Sequence, residues 1–200
     1  MSIKEILSHN KIAGIKSTEV DLSSMSSSSI GNLLQLIENL TDTLNAAGNG
    51  IGLAAPQIGV FKRVFVIMTE EEQQQEQDPT AITITTTRAY INPSWTIAKK
   101  QANNLTTEEK EISLEGCLSV KEGRHQQLFP ISRYKEILAS WTEISSLSPT
   151  TETSKQITIQ HHQGIPLKGF PARVFMHEHE HLNGGNITET YKRQQQKNKK

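Results

Sequence analysis

Two histidines spaced four residues apart constrain this chain more than any other feature. His177 and His181 fall within the run MHEHEH at residues 176–181. At that spacing on a helix, side chains stack one turn apart on the same face. Phe170 and Val174 carry the stripe toward the N-terminus, so both imidazoles are expected to turn inward with the apolar side. Buried neutral imidazoles make good metal ligands. Its ends are punctuated as a helix requires: it starts near Lys168, has Pro171 in the first turn and reaches Gly184. Glu178 follows the first histidine, where a carboxylate can reach a water on the cation without becoming a ligand, as in H-E-x-x-H motifs. His179 and Glu180 are expected to face away from the metal, as surface residues or outer partners of the site.

A catalytic centre of this kind needs a third protein ligand and an open position. Cys117 is the only cysteine, so it forms no internal disulfide. It is a buried small hydrophobe, a nucleophile with a histidine as base, or a ligand. It sits in SLEGCLSV, where Gly116 permits close approach and a thiolate would suit a soft or borderline cation. The other histidines singled out, His9, His125, His161 and His162, lack comparable spacing and are expected to be ordinary surface residues.

The rest of the chain fits one compact domain over residues 1–191, followed by a polar basic tail at 192–200. Ile30, Leu33, Leu34, Ile37, Leu40 and Leu44 recur at helical spacing between a serine run and Gly48. Short strands are expected at 63–68 (RVFVIM), 82–87 (ITITTT), 89–92 (AYIN) and 136–143 (EILASWTE), which implies antiparallel sheets. The stretches 70–80 and 144–156 are too polar to supply a core and are expected to be exposed insertions without chemistry. YKRQQQKNKK at the end reads as a solvated tail. With 21 basic and 21 acidic residues the formal net charge is zero, which removes the electrostatic case for nucleic acid or an anionic membrane as main partner. No apolar run approaches the roughly 20 residues of a membrane span, and MSIKEILSHNK lacks a signal peptide's apolar stretch. A soluble intracellular protein is expected.

Taken together, GIGLAAPQIG at 50–59, EGCLSV at 115–120 and HEHEHLNG at 177–184 resemble the three motifs of peptide deformylases, in the family's order. INP at 91–93 and the strand after Arg133 also fit, so the resemblance covers most of residues 30–191. It implies an α+β fold, with antiparallel sheets around a central helix that carries the histidines, and removal of the formyl group from the formyl-methionine of new bacterial or organellar polypeptides. By resemblance, Cys117, His177 and His181 are ligands to one divalent cation, Fe2+ in the cell, with Zn2+, Ni2+ or Co2+ as alternatives. Glu178 is then the general base and acid. Gln57 and the backbone N–H of Leu118 would hold the developing oxyanion. Ile51 and Gly52 would lie along the substrate, with Arg124 near the peptide groove. The implied partners are formyl-Met N-termini, with the ribosome as a candidate. A monomer in the bacterial cytoplasm is expected, or an organellar protein.

The departures are specific. Met176 stands where the family usually has glutamine, and Glu180 where H-E-x-D-H would have aspartate. The N-terminal region is weakly similar, the family's C-terminal helix is hard to find in YKRQQQKNKK, and Cys117 and His177 lie 60 residues apart, a long interval that the Ser/Thr-rich insertion would explain. Two other readings compete: a metalloprotease that leaves EGCLSV unused, and a noncatalytic paralogue that keeps the fold as a binding module.

Overall fold

A computed structural model describes residues 2–75, 78–98, 100–102, 105–122, 125–147 and 156–197. Helix α1 (His9–Ile12) is one turn, and α2 (Ser27–Ala47) is the long amphipathic helix read from the leucine spacing. The Ser26 side chain accepts from the Ser29 N–H at one end of α2, and Gly48 takes φ 71° at the other, the left-handed stop that glycine tolerates. Its buried face, Leu33, Leu36, Leu40 and Leu44, packs on Leu53, Val64, Val66 and Ile91.

Next come β1 (Gly52–Ala54), β2 (Val64–Gln75) and β3 (Asp78–Ile97). Short pairs follow, β4 (Lys100–Ala102) with β5 (Leu105–Thr107), and β7 (Lys121–Glu122) with β8 (His125–Gln126). Between these pairs lies β6 (Lys110–Glu115), which pairs antiparallel with β9 (Phe129–Tyr134). The chain then forms β10 (Glu136–Leu147), β11 (Gln156–Lys168), α3 (Phe170–Leu182) and α4 (Ile187–Lys197). Among the described residues the main sheet runs in the order β1-β2-β3-β10-β11, antiparallel at every pairing. The α+β architecture with antiparallel sheets around a central helix is therefore as expected.

Helix α3 is buried on nearly all sides, from Ala172 to Met176 and again at Glu178, His181 and Leu182. Phe175 anchors it on the sheet, its ring centroid 5.2 Å from Phe65 and 5.5 Å from Tyr90, both edge-on. Edge-to-face packing of this kind adds about 0.5–1.5 kcal/mol per pair to the burial itself. The helix is thereby fixed in rotation, with the face bearing His177 and His181 turned to β6 and the loop after it.

Four details differ from the sequence expectations. The polar stretches at 70–80 and 144–156 are in part strand: β2 runs on to Gln75, β3 starts at Asp78, β10 ends at Leu147 and β11 starts at Gln156. Segments 82–87 and 89–92 belong to one strand, because cross-strand pairing continues without a break from Ile82 through Ile91. Phe170 is 60 % exposed, outside the inward stripe, because it sits in the first turn of α3 at the mouth of a cavity. The C-terminal segment is not featureless. The Asn186 side chain accepts from the Glu189 N–H as a cap, and Tyr191 stacks obliquely on Phe129. Gln194 donates to the Ser132 carbonyl and accepts from its N–H, both at 2.9 Å, so α4 is bound to β9.

Candidate metal and active site

Three side chains from two segments, α3 and the loop after β6, meet at one point. The sulfur of Cys117 and one nitrogen each of His177 and His181 lie within 4.8 Å of one another. The Cys117 sulfur is 3.3 Å from Nε2 of His181. A thiolate with two imidazoles, buried and converging, is a donor set that fits a divalent transition-metal ion and leaves a position open. With only protons present, burial opposes the Cys117 thiolate, but His181 and His177 outweigh it and hold the thiol well below its usual range. Burial likewise pushes His177 down, yet the sulfur and Glu115 lift it to about 10. The pocket thus favours the deprotonated sulfur that a ligand requires.

Glu115, at the end of β6, orients the first histidine. Its Oε2 accepts from Nδ1 of His177 at 3.1 Å. An ionised carboxylate only accepts, so the proton sits on Nδ1 and Nε2 is left for a cation. Burial would raise the Glu115 carboxyl, but hydrogen bonds from His177 and Arg133 hold it down to about 2. Arg133 reaches it from β9 at 2.8 Å through Nε, and Arg173 from α3 at 2.6 Å through Nη1. Glu115, Arg133 and Arg173 escape motif reading, because their contacts cross between elements. The only signal was the one acidic residue inside EGCLSV.

Glu178 is 4 % exposed, and its Oε2 has no hydrogen-bond partner among the described residues. Burial, partly offset by His177 and His181, raises its carboxyl to about 6. Gly52 makes room for it: a Cβ there would lie 2.6 Å from Oε1 of Glu178. That close approach gives a physical reason for glycine at 52. Gln57 is 1 % exposed, and its orientation is set by the Ala54 N–H donating to Oε1 at 2.8 Å. Its Nε2 is consequently directed at Ser119 Oγ, 3.1 Å away, and at the Cys117 sulfur, 3.7 Å away. The N–H of Leu118 donates to no acceptor among the described residues. A cavity of about 190 Å³ brings together Ile51, Gly52, Gln57, Leu118, His177 and Glu178. Arg124 lies outside the described residues.

The residues facing away from the triad are engaged. Glu180 accepts from Arg133 at 3.1 Å and from Thr190, and Arg193 stands 3.4 Å from it. Its longer side chain therefore ties α3 to both β9 and α4. His179 has Arg63 Nη2 at 2.9 Å from Nε2 and the Trp95 indole N–H directed at Nδ1. Burial, assisted by Arg63, lowers it to about 4. Among the histidines read as ordinary surface residues, His161 sits 2.9 Å from the Thr142 hydroxyl and His162 stacks on Trp141 at 4.5 Å.

An acid-sensitive fold follows. Between pH 6.5 and about 4 the unfolded chain takes up a proton that folded His179 refuses, so this contribution is complete above pH 6.5 and drains as pH falls. Glu115, lowered from 4.5 to about 2, adds a loss that starts below pH 4.5. Glu178 opposes in part, since its burial is relieved as pH falls from 6 to 4.5, but its shift is smaller than that of His179. The urea midpoint of metal-free protein should therefore drop from pH 7 to 5 and more steeply below 4.5. Cys117, held well below its usual range, drains in the same direction. The His179 share is the part of the drop between pH 6.5 and 5 that a His179→Gln variant removes, and an unchanged drop in that variant would contradict the account of His179.

Residues 6–197 match the family model for polypeptide deformylase. The chain is 35 % identical over 151 residues to a peptide deformylase of Halothermothrix orenii, covering 76 % of this chain and 72 % of that protein. It is 33 % identical over 153 residues to one from Carboxydothermus hydrogenoformans, covering 76 % and 73 %. Among solved structures, it resembles a probable peptide deformylase of Synechococcus phage S-SSM7 with TM-score 0.62 at 26 % identity, covering 95 % of this chain and 100 % of that one. The peptide deformylase of Thermotoga maritima gives TM-score 0.59 at 25 % identity, covering 95 % and 98 %. With residues 6–197 within the family model and relatives at 33–35 % identity covered to more than two thirds, this protein belongs to the polypeptide deformylase family.

Proposed function

We propose that the chain hydrolyses the formyl amide at the N-terminus of new polypeptides, leaving a free amine and formate. The observation that carries this reading is the Glu178 carboxyl, which lines the cavity beside Cys117 and His177 and has one oxygen without a hydrogen-bond partner among the described residues. Cys117, His177 and His181 would hold the cation, and we read Fe2+ as the cellular ion, with Zn2+, Ni2+ and Co2+ compatible with the same donors. When bound, it would supply Lewis-acid polarisation of the formyl carbonyl and acidify a water.

The protein's own groups divide the remaining work. Glu178 takes the proton from the attacking water and returns it to the leaving amine, and a carboxyl held near 6 suits both transfers at neutral pH. The Leu118 N–H and the Gln57 amide donate to the oxygen that becomes negative. Glu115 keeps the Nδ1 proton of His177 in place. Strand β1 is the edge of the main sheet, so a substrate in extended form can lie along Ile51 and Gly52 as an added strand. Arg124 is assigned to the peptide groove by resemblance alone.

The chain is read as one catalytic unit, acting as a monomer on chains emerging from the ribosome in the bacterial cytoplasm, or in an organelle. Among the described residues no helix is long and apolar enough to cross a membrane. The test is formate release from formyl-Met-Ala-Ser by metal-loaded protein. Steady turnover that stops on chelation is expected. Bound metal without turnover would favour the noncatalytic paralogue, and cleavage of internal peptide bonds instead would favour a protease.

A further inference from the structure

We infer that Arg173 is a positioning residue for the metal site, setting His177 against Cys117 through Glu115. This rests on the reading of Cys117, His177 and His181 as ligands. Arg173 occupies α3 one turn before His177, so the two side chains lie on the same face. Its Nη1 donates to Oε1 of Glu115 at 2.6 Å, while the other oxygen of that carboxylate accepts from His177 at 3.1 Å. One carboxylate thus touches two consecutive turns of the helix. Glu115 is also only two residues from Cys117 along the chain. The contacts close a ring that runs from Cys117 to Glu115, across to Arg173 and His177 on α3, and back through the site.

Arg133 does not duplicate this function. It approaches Glu115 from β9 and reaches α3 only through a second carboxylate, Glu180, so it joins Glu115 to the sheet directly and to the helix at one remove. Arg173 fixes it to the ligand-bearing helix. The anchoring of Arg173 is itself rigid: Nη1 also donates to the Ile131 carbonyl and Nη2 to the Glu111 carbonyl, both at 3.0 Å, which pins the guanidinium between β6 and β9. The residue is 5 % exposed, and Glu115 is 7 % exposed. In such surroundings a charge-assisted pair is strong and geometrically specific. A forked donor is needed because three acceptors on two strands must be met at once, which a lysine ammonium cannot do in one plane.

The position of a ligand's outer partner is expected to be read by the metal. Outer hydrogen-bond partners of metal ligands typically change affinity about 10- to 100-fold. The probe is Co2+, whose visible bands report coordination geometry and whose thiolate charge-transfer band reports the bond to Cys117. Wild-type protein is loaded first; failure to bind Co2+ would overturn the metal-site reading and this inference with it. Given binding, Arg173→Met should shift the visible bands and release Co2+ to a chelator about 10- to 100-fold faster. The kcat for formyl-Met-Ala-Ser should fall while KM changes little. Arg173→Lys should fall between the two, and it decides the matter if the methionine variant does not fold. A purely structural role would lower the thermal midpoint alone. A folded variant, Met or Lys, with wild-type Co2+ bands and a wild-type release rate would overturn the inference while leaving the function intact.

Discussion

Glu178→Gln is expected to keep its metal and its fold while losing nearly all deformylation. The amide matches the carboxylate in shape, so the tight fit against Gly52 is preserved. It cannot accept a proton from water or hand one to the departing amine. General acid–base help is worth about 100- to 10,000-fold, and here one carboxylate performs both transfers, so the loss should fall at the upper end of that range. Neither neighbouring carboxylate substitutes: Glu115 is engaged by two arginines and His177, and Glu180 points toward Arg133 and α4. The measurement is formate release from formyl-Met-Ala-Ser by wild-type and variant protein at equal metal content. A variant with near-wild-type turnover would remove Glu178 from the mechanism.

Cys117→Ser should have its largest effect on the metal. A serine hydroxyl is not ionised at neutral pH and is a poor match for a borderline cation, whereas the thiol is held ready as thiolate by His181 and His177. Losing a direct ligand should exceed the roughly 100-fold upper figure for losing an outer partner. Chelator competition with the same ion in both proteins gives the ratio. The Gln57 amide still has Ser119 as acceptor in the variant, so the local structure should survive the change. Equal affinities would show that the sulfur is not a ligand and would reopen the reading of Cys117 as a buried small residue.

The clustering of Cys117, His177 and His181 was legible because two of them share a helix and their spacing is a property of the helix alone. Cys117 could be added since its neighbours formed a recognisable motif. Glu115 was not legible in the same way. Its partners Arg133, Arg173 and His177 are 18, 58 and 62 residues away in sequence, and no local pattern encodes such a meeting. Strand β11 was missed for a related reason: QITIQHHQGIPLK gains its strand character from pairing with β10 along most of its length. Helix α4 has almost no apolar stripe beyond Tyr191, and its seat depends on Gln194 meeting the backbone of Ser132. Phe170 shows the converse error. Helical periodicity predicted an inward side chain, but the first turn of α3 lies at a cavity mouth, where burial ends.

The hairpin of β10 and β11 has a consequence for how this chain could change over evolutionary time. Glu136 pairs with Lys168 at its base, and Leu147 pairs with Gln156 at the far end of the described ladder. Residues gained or lost beyond that far end, on the two sides together, extend or shorten the arm and return the chain to the same base. Sequence distance between Cys117 and His177 is therefore decoupled from their distance in space. The arm works as slack in a line whose two ends are tied down: a change in length at its far end would leave the base, and the chemistry beyond it, where they are.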